Sequence, residues 1–217
     1  MVQVDQRRRI TDVSTLRELV GSPSERAVRK QLAALDAHCR AFIQLSPFVL
    51  LGTSSASGGC DVSPKGDAAG FVLVLDDSTL VIPDRPGNRR LDSLQNILEN
   101  PHVGLLFLAP GMDETLRVNG SAELVQDEDL LDRLAVDGKR PLLGILVHVE
   151  EAFLHCGKAF LRSHLWDPTA VVPRTALPSL ARMISDQTRP PGRPDAEHDQ
   201  LVASAERTIA EAYRCLY

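Results

Sequence analysis

Apolar positions set the first boundary along the chain. Val28, Leu32, Leu35, Cys39 and Phe42 recur at spacings of three and four, which predicts one amphipathic helix with a single buried stripe. Ser22-Pro23-Ser24-Glu25 supplies its start as a capping box, with a Ser cap, Pro at the first helical position and a carboxylate able to reach back. Ser46-Pro47 supplies its stop. From residue 48 the period shortens. Apolar runs at 48–51, 70–75 and 79–82, and the mixed stretch 53–59, are separated by turn residues and read as a strand meander. Leu73-Val74-Leu75 and Leu80-Val81-Ile82, joined through Asp76-Asp77-Ser78, predict a hairpin whose continuous apolarity calls for burial on both faces. A closed or nearly closed barrel would provide it.

Further along, Asn88 is placed to cap a short helix on which Leu91, Leu94, Ile97 and Leu98 share a face, ending before Asn100-Pro101. Residues 103–108 form an apolar strand. In 114–125, Leu116, Val118, Gly120, Ala122 and Leu124 alternate with Arg117, Asn119, Ser121 and Glu123, the cleanest two-residue period in the chain. Asp127 opens a helical turn with Leu130, Leu131 and Leu134 inward and Gly138 at its end, and 145–156 is the last long strand. Six prolines between Pro168 and Pro194 surround a short helix. Leu201, Ala205, Ile209, Ala212 and Leu216 then mark a terminal amphipathic helix. The expected fold class is mainly β with peripheral helices. Its organisation is an N-terminal tail (1–21), a barrel domain with its leading helix (22–170) and a Pro-rich, helical extension (171–217).

Composition narrows the function. The 217 residues are 43% hydrophobic and 24% charged, which suits one folded domain with additions. A net charge of −5 argues against coating nucleic acid, which needs a broad surplus of Lys and Arg. The run Arg7-Arg8-Arg9 reads as part of a solvated tail. Cys39, Cys60, Cys156 and Cys215 are scattered, with no C-x-x-C pair, and are expected to be reduced. Without an apolar leader in the first thirty residues, or the roughly 20 apolar residues of a membrane span, the expected location is the cytoplasm, with no membrane partner.

Two basic elements could share one anion. Ser63-Pro64-Lys65-Gly66 offers a hydroxyl, a cation and a permissive backbone. Arg85, Arg89 and Arg90 surround Gly87-Asn88 at the predicted helix start, where free N–H groups and the helix dipole also favour a phosphate. On spacing alone an alternative stays open, in which these cations decorate solvated turns and pair with Asp61, Asp67, Asp84 or Asp92. Neither a P-loop nor a dinucleotide fingerprint occurs.

Three segments together resemble the pyridoxamine 5'-phosphate oxidase-like flavin-binding split barrels, in particular a general FMN-dependent branch. They are Asp61-Val62-Ser63-Pro64-Lys65-Gly66-Asp67, Ile82-Pro83-Asp84-Arg85-Pro86-Gly87-Asn88-Arg89-Arg90 and Glu114-Thr115-Leu116-Arg117-Val118-Asn119-Gly120. The resemblance spans about residues 25–170. It implies an FMN-binding split β-barrel, a homodimer with FMN in the groove between subunits, and oxidoreductase activity on a small-molecule substrate. Carried over by motif, Lys65 and Arg89 would contact the flavin phosphate, with Arg90 beside them and Asn88 assisting. Val62 and Ser63 would present main-chain groups to the isoalloxazine edge, and Ile82 and Pro83 would flank the ring or ribityl chain. Thr115 stands where the family often has an amide near the flavin. The segment 155–166 resembles the one that closes this branch's barrel, from which Lys158, Arg162 and Trp166 would reach the partner's site, Trp166 alternatively packing the dimer surface. The vitamin substrate is not implied, because Arg174, Arg182, Arg189 and Arg193 do not align with the substrate contacts of the typical oxidase.

Other constellations are weaker. His148 and His155 fall on opposite faces of an alternating strand, so a metal or haem site shared with His164 and Cys156 is not expected. Asp76-Asp77 and Asp127-Glu128-Asp129 have structural reasons as a turn and a helix start, and no nucleophile elbow accompanies Ser163-His164 or Ser54-Ser55. No catalytic acid or base stands out. A deazaflavin or haem in the same groove, or FMN held without turnover in a sensor or carrier, are the alternatives.

Overall fold

The computed structural model describes residues 9–217; Arg7 and Arg8 of the basic run lie outside them, and Arg9 is exposed. Seven antiparallel strands form one sheet: β1 (Phe48–Ser54), β2 (Cys60–Gly66), β3 (Leu73–Val74), β4 (Thr79–Pro83), β5 (His102–Leu108), β6 (Thr115–Val125) and β7 (Gly144–His155). Their order is β2-β1-β5-β6-β7-β4-β3. The sheet curls around Val49, Leu51, Leu80, Ile82, Leu105, Phe107, Leu116, Val118, Ile145 and Val147, all at most 1% exposed, and its two ends are not laddered to each other. This is a split β-barrel, mainly β with peripheral helices.

Each strand type follows from its residues. On β6 the expected alternation places Leu116, Val118, Gly120 and Ala122 inward. Central β4 is buried on both faces over Leu80–Ile82, as its unbroken apolarity requires. Its hairpin partner β3 is only two residues long and half-buried at the sheet edge. β2 has no apolar period, because it is the opposite edge strand and alternates exposed with half-buried polar residues.

The leading helix departs from expectation. Asp12 caps α1 (Val13–Val20), within the expected tail. Ser24, rather than Ser22, caps α2 (Glu25–Arg29), and Asp36 caps α3 (Ala37–Leu45) through Cys39 N at 2.8 Å. The single stripe is broken because Leu32 leaves the helix to exchange two main-chain hydrogen bonds of 2.9 Å with Ala152 of β7. Val28 is consequently 55% exposed, whereas Leu35, Cys39 and Phe42 enter the core.

A second departure lies in β7. Glu150 is an extra residue opposite Asn119/Gly120, a bulge that shifts the pairing from Val149↔Gly120 to Glu151↔Asn119. Parity therefore inverts, and His148 and His155 share the outer face instead of opposing each other. They stay far apart along it: His148 pairs with Ser121 and reaches Glu123 at 3.1 Å, while His155 pairs with Thr115 and packs on Phe153. Gly120 is required here, since a Cβ would stand 1.9 Å from the His148 carbonyl oxygen.

The remaining helices flank the barrel: α4 (Asp92–Glu99), α5 (Glu128–Asp132), α6 (Lys158–Ser163), α7 (Leu180–Gln187) and α8 (Asp195–Ala212). α8 buries His198 and Val202 against α7 and leaves Leu201 44% exposed, one position off the expected stripe. Among the described residues no helix is long and apolar enough to cross a membrane.

Candidate functional site

The split between the sheet ends is closed by ion pairs. Lys65 on edge strand β2 reaches Asp84, just past β4, with Nζ–Oδ1 at 3.0 Å. Arg85 Nε donates to Asp67 Oδ2 at 2.6 Å, with the Asp67 side chain 2% exposed. Burial alone would push the Asp67 carboxyl up. Hydrogen bonds from Tyr217 and the Ala68 amide, together with Arg85, outweigh it and hold the group below the usual carboxylate range.

Beside this clasp lies a cleft of about 920 Å³, near the upper end of the size usual for small-molecule sites. Its walls come from β2, from the loop after β4, from the start of α4, and from a turn before β7 that carries Lys139 and Arg140. Six cationic side chains line it, Lys65, Arg85, Arg89, Arg90, Lys139 and Arg140, against three carboxylates, Asp61, Asp84 and Asp92. An acidic chain has therefore gathered a local positive excess.

The loop geometry follows from two left-handed residues, Arg89 (φ 59°) and Leu91 (φ 63°). The expected cap is corrected here. Asn88 does not cap α4; its Oδ1 accepts from Arg90 N at 3.0 Å within the loop, and Leu91 occupies the cap position without a side-chain hydrogen bond. The first amides of α4 thus face the cleft without a side-chain acceptor at the cap. Ser93 Oγ donates to Asp61 Oδ2 at 2.6 Å and ties the helix to β2. Arg90 is paired with Asp92 at 2.8 Å. The pairing alternative is observed for three of the four cations: Lys65, Arg85 and Arg90 pair with Asp84, Asp67 and Asp92, whereas Arg89 has no ion-pair partner among the described residues.

Val62, Ser63, Lys65, Pro83, Asn88, Arg89 and Arg90 all line this cleft. Ile82 does not; it is fully buried as part of the core. Thr115 is 5% exposed at the start of β6, and Lys158 and Arg162 are exposed on α6, outside the lining. Trp166 donates Nε1–H to the Met112 carbonyl at 2.7 Å and stacks on Phe160. Sequence reasoning missed Lys139, Arg140 and Tyr217. Asp137-Gly138, both at positive φ, was the available sign of a tight turn presenting the first two. Nothing local marks Tyr217, whose Oη donates to Asp67 Oδ1 at 2.5 Å.

The donor set suits a phosphate-bearing planar molecule: guanidinium and ammonium groups and uncapped helix amides suit the phosphate, and Phe71 and Tyr217 supply aromatic surface. The lining holds no histidine or cysteine. Among the described residues no group of three or more His, Cys, Asp or Glu side chains could hold a metal ion.

The family model described as pyridoxamine 5'-phosphate oxidase matches residues 35–156, over half of the chain. No curated protein matches. Similar solved structures include HupZ of Group A Streptococcus, at 19% identity and a TM-score of 0.45 over 55% of this chain and 93% of that one. General stress protein 26 of Bacillus anthracis has 15% identity and a TM-score of 0.41 over 54% and 93%. HutZ, the haem storage protein of Vibrio cholerae, has 15% identity and a TM-score of 0.38 over 56% and 93%.

Proposed function

The chain belongs to the pyridoxamine 5'-phosphate oxidase family, and from that premise we propose that it is an FMN-binding oxidoreductase acting on a small molecule. The observation that carries the proposal is the cationic cleft, where Lys65 from edge strand β2 and Arg89 and Arg90 from the loop after β4 meet the uncapped start of α4. In this reading Lys65 and Arg89 neutralise the cofactor phosphate and Arg90 and Asn88 hold the loop around it. Val62 and Ser63 offer main-chain groups to the ring edge, and Pro83, which lines the cleft, flanks the ring or ribityl chain. A bound flavin would supply the electron transfer.

The proposal includes a homodimer. Leu161, Leu165, Val171, Val172 and Leu177 are each more than half exposed within one segment, an apolar surface that a second copy would cover. α6 would then carry Lys158 and Arg162 towards the partner's cofactor, while Thr115, buried at the start of β6, would stand where the family places an amide near the flavin.

Lys65→Ala combined with Arg89→Ala tests the cofactor role. Two charge-assisted contacts to phosphate predict about a hundred-fold or greater loss of FMN affinity with little change for riboflavin, which lacks the anion. Equal losses would refute the phosphate assignment. The absorption spectrum and mass of the copurifying cofactor separate FMN from deazaflavin and haem. Reduction by nicotinamide donors and reoxidation by acceptors separate an enzyme from a carrier.

A further inference from the structure

Tyr217 lies beyond α8, yet it lines the cleft between β2 and the turn that carries Lys139. Three groups hold it. Its Oη donates to Asp67 Oδ1 at 2.5 Å, Arg85 lies over its ring at 5.5 Å, and Lys139 Nζ donates to its main-chain oxygen at 2.8 Å. The first two already clasp each other across the split of the barrel. One side chain therefore fastens the last helical segment to both the edge strand and the loop that carries Arg89 and Arg90.

The cleft's volume is that of the space left with Tyr217 seated. With the ring in place the cleft is still of small-molecule size, so Tyr217 stands as a wall and not a plug. Phe71 and Tyr217 are the two aromatic side chains of the lining, in a cleft otherwise dominated by charge, and Tyr217 is the one pinned at its far end by a hydrogen bond. A planar aromatic ligand gains contact area from such a ring at small entropic cost, because the ring is already immobilised.

We propose that Tyr217 is an aromatic latch of the cleft: it fixes the loop of residues 84–91 through Asp67 and Arg85, and its ring retains the planar part of the bound cofactor. The retention half rests on the FMN reading above; the loop half does not.

Two substitutions and two readouts separate these. Tyr217→Phe keeps the ring and removes the bond to Asp67; Tyr217→Ala removes both. In protein without added ligand, hydrogen–deuterium exchange at amides 84–91 should quicken about ten-fold in both variants, the size expected for one lost hydrogen bond to a charged group. Unchanged exchange would overturn the latch. With FMN bound, Tyr217→Ala should release flavin about ten-fold faster or more, and the flavin's fluorescence should rise as quenching by the phenol ring is lost. Tyr217→Phe should release more slowly than Tyr217→Ala. Unchanged or tighter FMN binding by Tyr217→Ala would overturn the retaining wall. If the unaltered protein takes up no FMN at all, the cofactor reading fails on its own, and the exchange measurement still decides the latch.

Discussion

Asp67→Asn tests whether ion pairs, rather than strand pairing, close this barrel. The Asp67 side chain is 2% exposed and that of Arg85 15%, so neither charge is well screened by solvent and surface-pair values do not apply. Removing one partner of a fully buried pair costs about 3–5 kcal/mol, because the other charge is stranded. Asparagine leaves an acceptor for Tyr217 Oη, and Arg85 retains some access to water. Both reduce the cost, to about 2–3 kcal/mol. For a chain of this size that lowers the thermal midpoint by about 5–10 °C. A control at the exposed pair Glu25–Arg29, whose side chains are 82% and 78% exposed, should give no measurable shift.

The same pair fixes the sign of a pH dependence. The folded Asp67 carboxyl lies below its ordinary value of 3.8, so its stabilisation is complete above the unfolded-state pKa of about 3.9 and is lost as pH falls through the lower folded value. The difference in unfolding free energy between the unaltered protein and Asp67→Asn should be constant from about pH 5 to 8 and shrink below about pH 4. Urea melts at several pH values measure it directly. A difference below half a kcal/mol at neutral pH, or one that grows on acidification, would refute the clasp.

Two further outcomes follow from other parts of the molecule. Gly120→Ala forces a Cβ against the His148 carbonyl at the bulge of β7 and should destabilise the protein by about 1–3 kcal/mol or more, with loss of the register shift visible in amide exchange of β6 and β7; a midpoint within 1 °C of the parent would count against the bulge. In a mixed dimer, subunits carrying Lys65→Ala and Arg89→Ala should be complemented by subunits carrying Lys158→Ala and Arg162→Ala. One of the two sites then combines an intact cleft with an intact partner α6. FMN bound at half the sites with near-parental affinity is the expected result, and binding by neither site would remove α6 from the partner's pocket.

How far the sequence foretold the fold depends on whether a signal is local. The alternation of β6 and the double-sided apolarity of β4 are direct records of burial, and both are found where the pattern puts them. The break after α2 is not local: Leu32 is drawn out of a helical period by pairing with Ala152, 120 positions away. Nor is the bulge, since one extra residue at Glu150 inverts the side of every later residue and defeats a count of alternate positions. The same division holds in the cleft. Lys65 and residues 83–90 are readable because each sits in a compact motif. Lys139, Arg140 and Tyr217 join them only through the packing of β7 and the segment beyond α8.

The charges of the cleft also explain how a chain of net charge −5 could attract a phosphate. At physiological salt, exposed charges more than about 8 Å apart are largely screened, so the distributed acidic surface acts weakly on an anion already inside the cleft. The nearby cations are screened far less, but not all are available. Lys65 and Arg90 are held by Asp84 and Asp92, and Arg85 is committed to Asp67. Arg89 alone among the four β2- and loop-borne cations has no carboxylate on it among the described residues, and it is held on a left-handed backbone, a conformation that costs energy and must be offset by the contacts around the loop. A dianion would meet Arg89 first and then share Lys65 with Asp84. The paired aspartates offset three of the cleft's positive charges and fix the side chains that carry them.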